Sequence, residues 1–290
     1  MRNAQCSIHN PKQPVIYNEK LYYFCLMVKL VVDSNSEFSQ KVLSAPLGQT
    51  HLFFLGQAGF VVKTASGKYI GYDMYLSDCV YRTEQKDGLQ RLLPQILDTE
   101  SIPFDFIVAS HAHRDHFDED SLPELMQHTN ARLIATPSCE NDVERLRIDK
   151  SRCTFVSVCD KLTFNDIEFH FVPCDHGDGA PDAVGLVLSV DGKKIYFTGD
   201  TCLRLDMADY FRALGKFDVM AAPINGAWGN LDEAECAAWA NALQPTLTIP
   251  CHYGMFAMHG GNPDKFAQIM KTYYPDLHFS IVKQGESIIL

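Results

Sequence analysis

Two hundred and ninety residues allow one large domain or two ordinary ones, and a chain of that length buries roughly 75% of its unfolded surface without help from disulfides. Apolar residues at 46% and charged residues at 21% exclude disordered, collagen-like and coiled-coil classes. Twenty-five basic against thirty-six acidic side chains leave a net charge of −11, which repels a phosphate backbone and argues against nucleic-acid coating or an anionic membrane surface.

In chain order, residues 1–45 show no clear period and read as an N-terminal extension, irregular or with a short helix. Its apolar stretch at 21–32 holds Lys29 and is too short to span a bilayer. No charged leader or small-residue cleavage site accompanies it, so a secretion signal is not expected. The same stretch could serve as a homo-oligomer interface. Ten cysteines are scattered without a CxxC pair, which fits reduced thiols in the cytoplasm.

Residues 46–290 read as one domain. Two strands are predicted over 51–63 around the Gly56–Gly59 turn, and a third over 69–73 after Ser66-Gly67. A helix is predicted near 89–97, a buried strand over 104–110, and a helix over 118–127 with Asp118 or Asp120 at its N-cap. Then come a strand at 132–136 and a helix at 138–147 capped by Ser138. Strands follow at 154–158, 167–172, 184–190 and 194–198, the last two joined by an Asp191-Gly192 hairpin turn. A helix near 207–214, a strand at 217–222, a helix at 232–243 and a strand at 246–250 form a second α/β run. A helix at 263–273 and two short strands end the chain. No repeat or linker divides it, so an α/β sandwich of two mixed sheets between helices fits this order.

The eleven histidines are concentrated where chemistry could use them. His111-Ala112-His113-Arg114-Asp115-His116 follows a buried strand directly. Two histidines two residues apart project to one side in extended backbone, and a turn lets Asp115 and His116 face a second point. Neutral imidazole and carboxylate suit zinc, manganese or iron, so the pattern provides for two adjacent metals. Further ligands stand at predicted strand ends: His176 after Cys174-Asp175, Asp200 after Gly199, and His252 after Cys251. Loops leaving one sheet edge are where functional residues collect.

This order of motifs resembles the metallo-β-lactamase superfamily, over residues from about 48 to the C-terminus. The resemblance implies a four-layer αββα fold, with His111, His113 and His176 on one divalent ion. It implies Asp115, His116 and His252 on a second, Asp200 bridging the two, and Asp73 propping the metal loop without binding metal. Leu55-Gly-Gln-Ala-Gly-Phe60, Asp73-Met-Tyr-Leu-Ser-Asp78 and Asn225-Gly226 are similar to the branch containing L-ascorbate-6-phosphate lactonase. That branch commonly has Asp-Pro-Tyr where this chain has Asp73-Met74-Tyr75.

Two divalent ions would share a hydroxide generated near neutral pH, and Asp115 is the candidate for its proton transfer, or for orientation alone. His259, beside Gly260 and Gly261, could donate a proton or bind an anion. Tyr75, Asn225, Trp228, Asn230 and Tyr253 are candidate substrate contacts, although each also suits packing or a turn. The expected activity is hydrolysis of a small anionic ester or lactone, such as a sugar-phosphate lactone, with zinc or manganese ahead of iron. The alternatives are a small-molecule phosphodiesterase and a metal-binding regulatory protein without turnover. His113, where oxygen-reducing di-iron members typically have a carboxylate, favours hydrolysis.

Overall fold

A computed structural model describes residues 35–290. Most of the extension assigned to 1–45, including its apolar stretch, lies outside the described residues. Strands β1 (His51–Gly56), β2 (Gly59–Lys63), β3 (Tyr69–Tyr72), β4 (Phe106–Ala109), β5 (Arg132–Ala135) and β6 (Cys153–Phe155) come first. They are followed by β7 (Lys161–Phe164), β8 (Ile167–Pro173), β9 (Val184–Val190), β10 (Lys193–Phe197), β11 (Val219–Pro223), β12 (Leu247–Cys251) and β13 (Ser287–Ile289). One sheet runs β13-β1-β2-β3-β4-β5-β6 and the other β12-β11-β10-β9-β8-β7. Each is antiparallel at one end and parallel at the other.

Alternation along the strands builds the inner core. Leu52, Phe54, Phe60, Val62, Ile70 and Tyr72 from the first sheet meet Phe169, Phe171, Leu186, Leu188 and Phe197 from the second. Tyr72 stacks on Phe197 at 4.3 Å, and Phe106 meets Phe169 at 5.1 Å. Each fully buried side chain of this kind contributes up to about 1.5–3 kcal/mol.

Helices α1 (Asn35–Ser44), α2 (Cys79–Glu84), α3 (Ser121–His128), α4 (Glu140–Arg145), α5 (Ala208–Ala213), α6 (Glu233–Leu243) and α7 (Pro263–Tyr273) flank the sheets. Phe38 of α1 meets the outward-facing Phe53 edge-on at 6.0 Å. On the other outer face, Tyr196, Phe217 and Met220 pack with Phe211, Trp239 and Phe266 from α5, α6 and α7. The result is the expected four-layer αββα sandwich. Helix α6 starts with a capping box between Asp232 and Glu235, and α7 starts with Asn262 capping and Pro263 in its first turn.

Several predicted elements are corrected. Residues 89–97 form no helix. Pro94 disfavours helical backbone at Leu93, and Arg91 donates instead to the carbonyls of Tyr75, Ser77, Leu93 and Pro94. The helix predicted over 138–147 begins as a 3-10 turn, Pro137–Cys139, and Ser138 makes no cap; α proper starts at Glu140. Of the two terminal strands, β13 forms, whereas Phe279 makes only an isolated bridge to Thr248. The pattern did not disclose α2 or β7. The Asp191-Gly192 turn has both residues at positive φ, 52° and 72°, as a tight hairpin requires.

Candidate metal centre

The candidate ligands lie in loops that leave the carboxyl ends of strands. His111 comes after β4, His176 after β8, Asp200 after β10 and His252 after β12, while Asp73 closes β3. Both sheets present these ends at the same edge, so residues up to 141 positions apart converge there. Gly199 lets Asp200 enter: its φ is +68°, and a Cβ would lie 2.9 Å from the Val184 carbonyl oxygen.

Three groups of side chains offer ligand atoms within 4.8 Å of one another: His111, His113 and His176; His111, His116 and Asp200; and Asp115, His116 and His252. His113 Nδ1 lies 2.9 Å from His111 Nε2 and 3.2 Å from His176 Nε2. Asp200 Oδ2 lies 3.0 Å from His252 Nε2, 3.3 Å from His116 Nε2 and 3.8 Å from His176 Nε2. Asp115 Oδ2 is 3.3 Å from His252 Nε2.

Burial sets two electrostatic populations. Desolvation, reinforced by His116, holds His111 well below the usual imidazole range, and desolvation also lowers His113 and His176. Against the same penalty, Asp200 and Asp115 raise His116 well above that range and His252 to about 9. Burial alone would raise both carboxyls; the cationic rings of His116 and His252 hold them well below the usual range instead.

The donor set fits divalent ions. His116 Nε2 is buried and makes no well-formed hydrogen bond, its nearest carboxylate oxygen being Asp200 Oδ2 at 3.3 Å, while Nδ1 of the same ring is fixed by Asp73 Oδ2 at 2.8 Å. A ring clamped on one nitrogen by a carboxylate, with the other turned toward the ligand cluster, is the usual arrangement of a metal-binding histidine. Asp73 also accepts from the Ser110 amide and hydroxyl, each at 2.7 Å, and Ser110 Oγ contacts His111 Nδ1 at 2.9 Å.

A cavity of about 470 Å³ opens above these residues. His113, Asp115, His176, Asp200 and His252 floor it, and His259 and Asn230 line it. Val80, Leu89, Trp228 and Phe256 supply apolar walls, with Glu84 and Lys86 the charged residues outside the floor. Tyr75, Asn225 and Tyr253 are not among the lining residues. Tyr75 is buried against Phe256 and under Arg91. Both polar atoms of the Asn225 side chain are buried without partners, and Tyr253 is half-buried.

Two contacts were not foreseen. Gln57, buried at the tip of the β1–β2 hairpin with φ 54°, donates from Nε2 to Asp115 Oδ2 at 2.8 Å and approaches His259 Nδ1 at 3.3 Å. Its carbonyl accepts from the His252 amide. Asn230, expected to touch substrate, donates to Asp200 Oδ2 at 2.8 Å. The available signal for Gln57 was a polar residue in a Gly-flanked turn between two apolar strands. Gln57, Asp73, Trp228 and His252 all hold positive φ, the kind of strain that gathers at functional sites.

A family model described as a beta-lactamase superfamily domain matches residues 73–253. A metal-dependent hydrolase from Anaeromyxobacter dehalogenans is 27% identical over 241 residues, 78% of this chain and 83% of its own. A metallo hydrolase from the hyperthermophilic archaeon Ignicoccus hospitalis has a similar structure, with a TM-score of 0.64 at 19% identity over 83% of this chain and 98% of that one. A diiron β-hydroxylase from Streptomyces venezuelae reaches 0.63 at 14% identity, over 85% of this chain and 54% of its own. These two structures share the fold, and their differing chemistries show that fold alone does not choose a reaction. The matched segment spans most of the chain and all the converging candidate ligands, and the chain belongs to the metallo-β-lactamase superfamily.

Proposed function

We propose that this chain is a metal-dependent hydrolase with a dinuclear centre. His111, His113 and His176 would hold one divalent ion, Asp115, His116 and His252 would hold the other, and Asp200 is placed between the two sets. The observation that carries this reading is the position of Asp200 Oδ2, which reaches nitrogens of both histidine sets within 3.0–3.8 Å. Zinc and manganese suit these ligands, ahead of iron. Bound there, the ions would supply Lewis acidity and an acidified water.

The protein's own groups orient and move protons. Gln57 fixes Asp115 Oδ2 at the cavity floor, where this carboxylate can take a proton or hold an attacking water in line. Burial, reinforced by His252, lowers His259 to about 4, so its ring is neutral at neutral pH. With Nδ1 facing the Gln57 amide, its other nitrogen is left to donate a hydrogen bond. Asn230 steadies Asp200, and Asp73 fixes both the His116 ring and the start of the ligand loop. A small ester or lactone is the substrate class, a reading supported by the size of the cavity over the ligand cluster and by the resemblance to the lactonase branch.

The test pairs elemental analysis with hydrolysis assays on lactones, carboxylic esters, thioesters and phosphodiesters. Turnover of a lactone or ester with two ions bound is expected, and His113→Ala should abolish it while cooperative unfolding persists. Full activity in that variant would sink the mechanism. Two bound ions without turnover on any member would instead favour a metal-binding protein, and preference for phosphodiesters the phosphodiesterase.

A further inference from the structure

Trp228 occupies a costly position that the fold does not require. It is 54% exposed, although an indole gains most by burial. The Asn230 amide donates to the Ala227 carbonyl at 3.0 Å, which makes Trp228 and Gly229 the central pair of a tight turn with φ of 51° and 83°. Such turns favour asparagine, aspartate or glycine at both central positions, and a bulky side chain at positive φ is an outlier. Turn chemistry therefore does not account for tryptophan. The cavity does: the indole is a wall of it and lies 4.7 Å from the His259 ring.

The rest of the wall has the same character. Leu89, Val80 and Phe256 continue the apolar surface from Trp228 around the cavity. Beyond the ligand floor, Lys86 is the one cationic side chain among the lining residues, and Glu84 stands two positions away in sequence. Phosphate recognition ordinarily uses converging arginines, lysines or backbone amides, and one lysine accompanied by a glutamate is a poor substitute. A volume of about 470 Å³ is in the lower half of the range for small-molecule sites.

Resting on the hydrolase reading above, we propose that the substrate is an unphosphorylated ester or lactone carrying an aromatic or medium-length alkyl group. That group lies flat against Trp228 and the Leu89–Phe256 side, with the scissile carbonyl over the ligand cluster. Hydrolysis adds water across the acyl–oxygen bond: the carbonyl carbon gains the hydroxyl, the alkoxy oxygen gains the proton, and nothing is oxidised or reduced.

The chain contains two tryptophans, and Trp239 is buried in α6. In metal-loaded Trp239→Phe protein, fluorescence therefore reports Trp228 alone. Titration with phenylacetate or hexanoate should change its emission saturably, and inorganic phosphate at equal concentration should not. In kinetic assays, phenyl-substituted esters and alkyl-substituted lactones should exceed a sugar-phosphate lactone in kcat/KM. Trp228→Ala should raise KM for the phenyl ester at least tenfold, and Trp228→Phe should restore most of the loss. An emission change with phosphate alone, or faster turnover of the phosphorylated lactone, would overturn the proposal. Absence of turnover on every ester and lactone counts against the hydrolase reading separately, and the fluorescence titration then decides the ligand class by binding.

Discussion

A carboxylate buried among imidazoles is tolerable only if its lone pairs meet cations or donors. Asp200 satisfies this through one oxygen, which faces His116, His176 and His252 nitrogens and accepts from Asn230 Nδ2. Replacing Asp200 with Asn keeps the shape but removes the charge that both histidine sets address. Both ions should then be lost together, with occupancy falling in parallel on elemental analysis; two ions still bound would contradict the spanning role. At this scale the sequence was most informative where spacing is chemically restrictive. His-x-His-x-Asp-His and the lone His176, Asp200 and His252 were legible because each stands at the end of an apolar strand. Gln57 was not, since its reach to Asp115 on its own sheet's loop and to His259 on the opposite sheet's loop depends on where the hairpin tip folds. Tyr75 shows the converse: proximity to a motif in sequence did not bring it to the cavity wall.

Elements were legible in proportion to how far local pattern and tertiary need agree. Helix α7 lies where its Asn262 cap and Pro263 place it, and β9 where a mostly apolar run, with Ser189 near its end, stops at Asp191-Gly192. The stretch over 89–97 failed because Leu89 serves the cavity wall while Leu92 is exposed, and Pro94 breaks the helix. The loop between β4 and α3 owes its shape to contacts no period encodes. Asp118 accepts from the Leu76, Ser77, Asp120 and Ser121 amides and from the Ser77 and Ser121 hydroxyls. Next to it, the buried Glu119 pairs with Arg82, Arg114 and Arg145, and so ties α2, the ligand loop and α4 together. Burial by itself raises the Glu119 carboxyl, yet these arginines hold it below its ordinary value of 4.5. A lowered folded-state value means the carboxylate stabilises the fold fully above about pH 4.5, and that this contribution is lost as pH falls through the folded value. Urea midpoints at pH 6 and pH 3.5 should therefore differ more in the wild type than in Glu119→Gln. Equal acid sensitivity in the two proteins would show that the ion cluster does not link this loop to stability.

At the scale of the molecule, two sheets with separate hydrogen-bond ladders meet through an apolar core and through one polar edge. At that edge, His111 and Asp115 leave the first sheet while His176, Asp200 and His252 leave the second. Ions bound there would cross-link the halves of the sandwich, whereas a cluster confined to one sheet would not. The edge also crowds like groups: the neutral His111 and His176 bring nitrogens within 2.9–3.2 Å of the neutral His113, and His116 Nε2 makes no well-formed hydrogen bond although Asp200 Oδ2 stands 3.3 Å away. Ions that bind the folded chain and not the unfolded one shift the folding equilibrium toward it. At free metal one hundred times Kd, each ion stabilises by about 2.7 kcal/mol, which in a domain of this size corresponds to roughly 5–10 °C in Tm. Chelator-treated protein should therefore unfold at a lower temperature, and zinc or manganese should restore the loss in a concentration-dependent way. His252→Ala, which removes a ligand from one proposed ion and not the other, should retain about half of that gain. An unchanged Tm on reloading metal would show that this edge does not join the two sheets through bound ions.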